Sequence, residues 1–428
     1  MIILSGADVV LPDRVLGPGS VVIDGDRIVD ITAGAVPASP GDRHVDLHGH
    51  YIVPGFIDVH VHGVNGVDCL DGTDAVACIA ADLPRYGVTA FCPTSIACSP
   101  WVLRRLLLAV RDARLAPASA AARVLPAHLE SNFLNPDYCG AQPTTCLRVP
   151  RDRRDAGPTP AVVAAGASSG VPSAAPALGC RDPGETAAFT ASDLLAEMDH
   201  GRADIGIVTI APEIEGGMAL VSMLRGRGHL VSLGHSGATW EQAMAAIAAG
   251  ATQATHLFNR MPPLNHRQPG LAGAVLESDD VAAELVCDGL HVHPAMMRVA
   301  IAAKTPSRVM AITDGTAGSG LPPGSRVRLG SQSITVRDTA AFLDSGTLAG
   351  SVLTMDRAFA MLVGPVGLTP VDAALLCATT PARELRLGGL GVLAPGNLAD
   401  IAVLDSRCRV VQTWVGGRLA FSAAGRQG

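Results

Sequence analysis

Six side chains of this sequence could together hold a metal ion and move a proton. His60 and His62 stand two apart in Ile57-Asp58-Val59-His60-Val61-His62-Gly63, and Glu130 closes His128-Leu129-Glu130. His235 follows Leu233-Gly234, His256 follows Ala254-Thr255, and Asp314 follows Ile312-Thr313. On a strand, positions i and i+2 share a face, so both imidazoles of His60-Val61-His62 are expected to turn into one site. Taken singly, each residue reads as well as a satisfied polar group; five apolar segments ending in imidazole or carboxylate do not. Imidazole and carboxylate donors without thiolate suit zinc, iron, manganese or cobalt, with zinc the default and one or two ions possible. Such an ion acidifies water and polarises an amide carbonyl. Asp314 would take the water proton and deliver it to the departing nitrogen. The chemistry indicated is metal-assisted amide hydrolysis.

These residues need elements to aim them. Short apolar runs alternate with helix-period stretches through the middle of the chain, the pattern of parallel βα units. Eight strands are expected, at Ile57–His62, Thr89–Pro93, Val124–Leu129, Ile205–Ile210, Leu230–Gly234, Gln253–His256, Glu284–Cys287 and Arg308–Thr313. Helices are expected over Ala75–Tyr86, Met218–Arg227 and Trp240–Ala249, followed by Gly87, Gly228 and Gly250 as C-caps. Eight strands fit an α/β (β/α)8 barrel whose C-terminal rim carries the six residues. An open doubly wound sheet would show a similar alternation. Both ends read as strands, with hairpins at Val21–Ile23/Ile28–Ile31 and across Gly416-Gly417, so a small β-sandwich built from both termini is expected. The expected division is 1–53 and 386–428 for the sandwich and 54–385 for the barrel. An irregular insertion rich in Pro, Ala, Gly and Ser interrupts the barrel at about 148–185, on the rim side, as an inert loop or a lid.

Composition narrows the class. The 428 residues suit one barrel with a satellite domain, and a formal charge of −7 without a basic run argues against nucleic acid. No leader pattern and no run of about 18 apolar residues occurs, so a cytoplasmic protein without a membrane partner is expected. The 10 cysteines form no C-x-x-C pair and read as buried reduced thiols. Lys304 is the single lysine.

Several segments, in order over most of the chain, resemble the N-acetylglucosamine-6-phosphate deacetylases of the amidohydrolase superfamily. They are Pro54-Gly55-Phe56-Ile57-Asp58, His128-Leu129-Glu130 with Phe133-Leu134-Asn135-Pro136, Gly234-His235-Ser236, Thr255-His256-Leu257-Phe258-Asn259 and Asp288-Gly289-Leu290-His291. The resemblance implies an amidohydrolase barrel that removes the acetyl group of a small-molecule N-acetyl amino sugar. It implies that Glu130, His235 and His256 bind the principal ion, that Asp314 is the acid/base, and that the protein is a homodimer. With both His60 and His62 present, the chain looks like the two-ion kind. Many relatives bridge their ions with a carboxylated lysine on strand four; Lys304 lies before strand eight, which leaves Glu130 as the bridge. The family's phosphate-binding arginine and histidine match Arg267 and His291, and Asn259 would meet the same end of the substrate.

Departures cluster where substrate would bind. The family's lysine-glycine-X-histidine becomes Cys139-Gly140-Ala141-Gln142, and its Asn-Ala-Met becomes Asn259-Arg260-Met261. Gln142 can donate a hydrogen bond to an acetamide carbonyl but brings no positive charge. Arg260 adds bulk and charge. Deacetylation of N-acetylglucosamine 6-phosphate is the first expectation, with an unphosphorylated or glycosylated N-acetyl amino sugar as the alternative substrate. Cyclic-amide opening or deamination, and a metal-binding scaffold without catalysis, are further alternatives.

Overall fold

The computed structural model describes residues 1–37, 39–150 and 188–423. Almost all of the expected insertion at 148–185 lies outside the described residues.

Eight parallel strands form a nearly closed barrel: Phe56–Val61, Val88–Ser95, a third in two pieces (Arg123–Val124 and Ala127–Glu130), Ile205–Ile210, Leu230–Leu233, Gln253–Ala254, Ala282–Val286 and Val309–Ile312. They pair in chain order because each is an apolar run that must bury both faces. Between the first and eighth strands the ring is joined at the candidate site itself. The Asp314 N–H donates to the His60 carbonyl (2.9 Å), and the His62 and Gly63 N–H groups both donate to the Gly315 carbonyl (2.7 and 3.0 Å). Strands one, five, six, seven and eight end one or two residues earlier than expected at this rim, while the second and third run on by two and one, so His62, His235, His256 and Asp314 lie just beyond the ladder. There the backbone is released to turn.

The expected helices form at Ala75–Asp82, Gly217–Gly226 and Trp240–Ala248. Trp240–Ala248 starts with a reciprocal capping box between Thr239 and Gln242. Gly87 takes φ +80°, and a Cβ there would stand 2.8 Å from the Phe56 ring, so both conformation and space call for glycine. Phe56 is fully buried and stacks on Phe359 with centroids 5.5 Å apart. Phe56→Ala is expected to cost about 3–5 kcal/mol through lost burial and the cavity left behind, measured by denaturant unfolding; a loss below about 1 kcal/mol would contradict this packing.

Both termini enter one separate, mostly antiparallel sheet, in the order Arg418–Ser422, Val410–Val415, Ile401–Leu404, Tyr51–Pro54, Ile2–Val10, Val15–Asp24, Arg27–Ala33. Its own core includes Leu4, Ile23, Ile52, Ile401 and Trp414. Buried Asp400 ties this sheet to the barrel by accepting both Arg123 Nε and Nη2 (2.8 and 3.0 Å).

A second antiparallel sheet was not anticipated from the sequence. Arg326–Leu329, Gln332–Arg337, Ala340–Leu343 and Leu348–Ser351 form a four-stranded meander after the eighth barrel strand. Its signals are the alternation of Ser333-Ile334-Thr335-Val336 and the two-residue turns Gly330-Ser331 and Asp338-Thr339. The sheet braces the site: Ser351 Oγ donates to the Thr313 carbonyl (2.6 Å), and Gln332 Nε2 donates to the Ala141 carbonyl (2.6 Å).

Candidate metal centre

The structure brings all six candidate residues into one buried cluster at the C-terminal rim. His60 and His62 turn their Nε2 atoms together, 3.2 Å apart, and Asp314 Oδ1 lies 3.4 Å from the first and 3.2 Å from the second. Glu130 Oε1 stands 2.8 Å from His235 Nε2 and 3.0 Å from His256 Nε2, which are themselves 3.0 Å apart. Glu130 Oε2 faces the other half, 3.4 Å from His62 Nε2. Two groups result, His60/His62/Asp314 and Glu130/His235/His256, with Glu130 between them.

The donor set fits a divalent cation. His235 Nδ1 lies 2.9 Å from the Tyr138 carbonyl, which can only accept, so a neutral His235 carries its proton there and offers a bare Nε2. His60 Nδ1 points at the Glu284 carboxylate (2.9 Å), with the same consequence. Lone pairs facing one another at about 3 Å want a proton or a cation between them.

The electrostatics agree. Burial would raise the Glu130 carboxyl, but His235, His256 and His62 outweigh burial and hold it well below the usual carboxylate range. Burial likewise opposes charge on His62 and His256, yet Asp314 and Glu130 lift His62 to about 10, and Glu130 lifts His256 to about 9. Burial pushes His60 the other way, to about 4.

Three of these residues hold unusual backbone. His235, His256 and Asp314 take φ of +49°, +31° and +48°. Left-handed conformations of non-glycine residues cost roughly 1–3 kcal/mol each and persist where the surroundings over-determine them. Each turns a side chain inward as its strand ends.

The candidate substrate residues lie around this cluster on the rim loops. Gln142 sits inside the centre rather than at its mouth: Nε2 donates to Glu130 Oε2 (2.5 Å) and Oε1 accepts the Ala97 N–H (2.7 Å). One amide proton is therefore already engaged. Asn259 Nδ2 reaches the His256 and Leu257 carbonyls (3.3 Å each), and Arg260 lies exposed with its side chain over Gly140. Arg267 is exposed, and its guanidinium makes no ion pair among the described residues. His291 Nδ1 pairs with Asp288 Oδ2 (2.6 Å). None of these four bonds a side chain of the cluster.

Two carboxylates escaped the sequence reading. Glu284, within the seventh strand, stands behind His60. Glu213, after the fourth, accepts Asn135 Nδ2 (2.9 Å), Ser236 Oγ (2.7 Å) and the Gly237 N–H (2.6 Å), and so pins the loop that carries His235. Its one signal was its position at a barrel strand's C-terminal end.

The amidohydrolase family model matches residues 51–420. The chain is 32% identical to N-acetylgalactosamine-6-phosphate deacetylase of Escherichia coli O157:H7, over 92% of this chain and 94% of that one. It is also 32% identical to N-acetylglucosamine-6-phosphate deacetylase of Lysinibacillus sphaericus, over 89% and 88%. Among solved structures, N-acetyl-D-glucosamine-6-phosphate deacetylase of Mycobacterium smegmatis, a mutant in complex with N-acetyl-D-glucosamine-6-phosphate, superposes with a TM-score of 0.81 at 31% identity, covering 98% of this chain and 99% of that one. The chain thus belongs to the amidohydrolase family, in the group that holds the N-acetylglucosamine-6-phosphate deacetylases.

Proposed function

We propose that this protein hydrolyses the acetamide of N-acetylglucosamine 6-phosphate, yielding acetate and glucosamine 6-phosphate. The observation that carries the reading is the convergence of four imidazoles, Glu130 and Asp314 in one buried cluster at the barrel rim. A divalent ion held there would supply Lewis acidity, polarising the amide carbonyl and acidifying water. His60, His62, His235, His256 and Glu130 would hold it, with zinc as the resident ion. Asp314 accepts the water proton as oxygen attacks the acetyl carbon, then delivers it to the nitrogen as the C–N bond breaks. Gln142 fixes the second oxygen of Glu130 and keeps one N–H for the acetyl oxygen. Arg267 and His291 clamp the phosphate, and Asn259 orients the sugar.

The altered wall supports one refinement. The family's motif, as the resemblance has it, places lysine where this chain has Cys139, and the Arg260 side chain lies over the adjacent Gly140. Positive charge thus returns to that wall from the strand-six loop. Together with Gln142, this change favours a second reading in which the sugar differs from N-acetylglucosamine 6-phosphate, whether in its epimer, its phosphate or an added glycoside.

A deacetylation panel of phosphorylated, free and glycosylated N-acetylhexosamines separates the readings. Fastest turnover of N-acetylglucosamine 6-phosphate supports the first; preference for another epimer, or for an unphosphorylated or glycosylated sugar, overturns it in favour of the second. Arg267→Ala is expected to lower kcat/KM on phosphorylated substrate by about 10–100-fold, the worth of a charge-assisted hydrogen bond, and to leave unphosphorylated substrates unchanged. Equal losses on both would remove Arg267 from the phosphate site.

The reading extends to a cytoplasmic homodimer. Leu264 and Leu290 stand 44% and 51% exposed on the loops of Arg267 and His291, apolar surface that a second copy would cover. The cysteines of the described residues are free, which suits a reducing compartment, and no described helix is long and apolar enough to cross a membrane.

A further inference from the structure

Glu284 is a fully buried carboxylate placed among Ala282, Ala283, Leu285 and Val286 of the seventh strand. Its Oε2 lies 2.9 Å from His60 Nδ1 and 3.3 Å from the His256 N–H. Its Oε1 has no hydrogen-bond partner. The nearest candidate, His128 Nδ1, is 3.7 Å away, and that nitrogen is 2.9 Å from the Val59 carbonyl while its Nε2 is 2.8 Å from Thr209 Oγ1. Both His128 nitrogens being engaged, the trio of His60, His128 and Glu284 is not a third ion site.

An incompletely bonded carboxylate in an apolar interior is costly unless an opposite charge answers it. Within the protein, the direct way from Glu284 to such a charge runs through the His60 ring, from Nδ1 to Nε2 in the middle of the cluster. Each ligand group has one carboxylate of its own, but Asp314 stands 3.4 and 3.2 Å from His60 and His62 while Glu130 stands 2.8 and 3.0 Å from His235 and His256, and the Glu130 oxygen that faces the first group is 3.4 Å from His62. Negative charge behind His60 makes up that difference. It also keeps the His60 proton on Nδ1, so that Nε2 faces inward as a donor.

We propose that Glu284 is the positioning residue that decides whether the His60/His62/Asp314 half of the centre retains its ion. The proposal rests on the metal reading above and adds a division of labour to it. Strand seven contributes no ligand, yet its carboxylate makes one half of the centre competent.

The test counts ions as well as turnover. Wild-type protein and Glu284→Gln are stripped, reloaded with zinc, dialysed and assayed for zinc per chain, and each ion's affinity is read by chelator competition. The amide of this variant keeps an acceptor for His60 but removes the charge. Expected are two ions in the wild type, and in Glu284→Gln one ion held as before with the second weakened about 10–100-fold, the usual effect of removing a ligand's supporting carboxylate. In a His60→Ala background the same change should add nothing, because Glu284 acts through that ring. Glu284→Asp, which keeps the charge but withdraws it from Nδ1, should show the same one-sided loss and serves if the amide variant does not fold. Retention of both ions at wild-type affinity, or equal weakening of both in a folded variant, overturns the proposal and leaves the metal reading standing. A wild type that takes up a single ion overturns the two-ion premise and the proposal with it; one that takes up none overturns the metal reading itself.

Discussion

Asp314→Asn should lower kcat by about 10²–10⁴-fold, the range that proton transfer by a positioned side chain contributes, with KM changed only a few-fold. Asparagine matches aspartate in shape, so the contacts of Oδ1 with His60 and His62 at 3.4 and 3.2 Å can be kept by an amide oxygen. What it cannot do is take a proton from water and return it to nitrogen. Burial raises the Asp314 carboxyl, but His60 and His62 outweigh it and hold it below the usual range, so at neutral pH the group is an ionised acceptor. Steady-state kinetics on the best substrate of the panel measure the effect. A variant with kcat within ten-fold of the wild type would place the acid/base elsewhere.

Glu130→Gln is expected to be more severe, because it removes ion and activity together. One oxygen serves His235 and His256 while the other accepts Gln142 Nε2 and faces His62. An amide cannot satisfy both sides. With its NH2 toward Gln142 two donors collide, and reversed, the NH2 occupies the place where a cation would meet the His235 and His256 lone pairs. Bound metal should fall below one ion per chain, and turnover by at least about 10³-fold, in keeping with loss of the Lewis acid. Chelation of the wild type should abolish turnover likewise, with recovery on adding a divalent ion. Full metal content in folded Glu130→Gln would show that Glu130 bridges nothing.

Much of the site was legible because its parts obey local rules. A barrel strand is an apolar run of four to eight residues, and its functional residue comes where the run stops; His235, His256 and Asp314 are found by that rule without any knowledge of partners. His60-Val61-His62 is legible from the period of a strand. Gly87 marks the end of its helix because few other residues take its backbone angles. The four-stranded meander was missed although its turns are plainly marked, because one strongly patterned architecture had already accounted for the middle of the chain.

What the chain alone determined is therefore the candidate ligand types, their strand-end positions and the βα units that carry them, since each depends on neighbours within a few residues. The tertiary structure alone decided how they group. The sorting into two halves, with Glu130 between, depends on strands more than a hundred residues apart, as the separations of 105 and 126 positions to His235 and His256 show. The commitment of Gln142 to Glu130 and Ala97 is another such outcome. Glu284 is the extreme case: in Ala282-Ala283-Glu284-Leu285-Val286 nothing sets it apart from a strand residue awaiting some partner, and His60, which gives it a purpose, lies 224 residues away. Local patterns report conformation, while the worth of a buried charge depends on what the fold brings within about 3 Å of it.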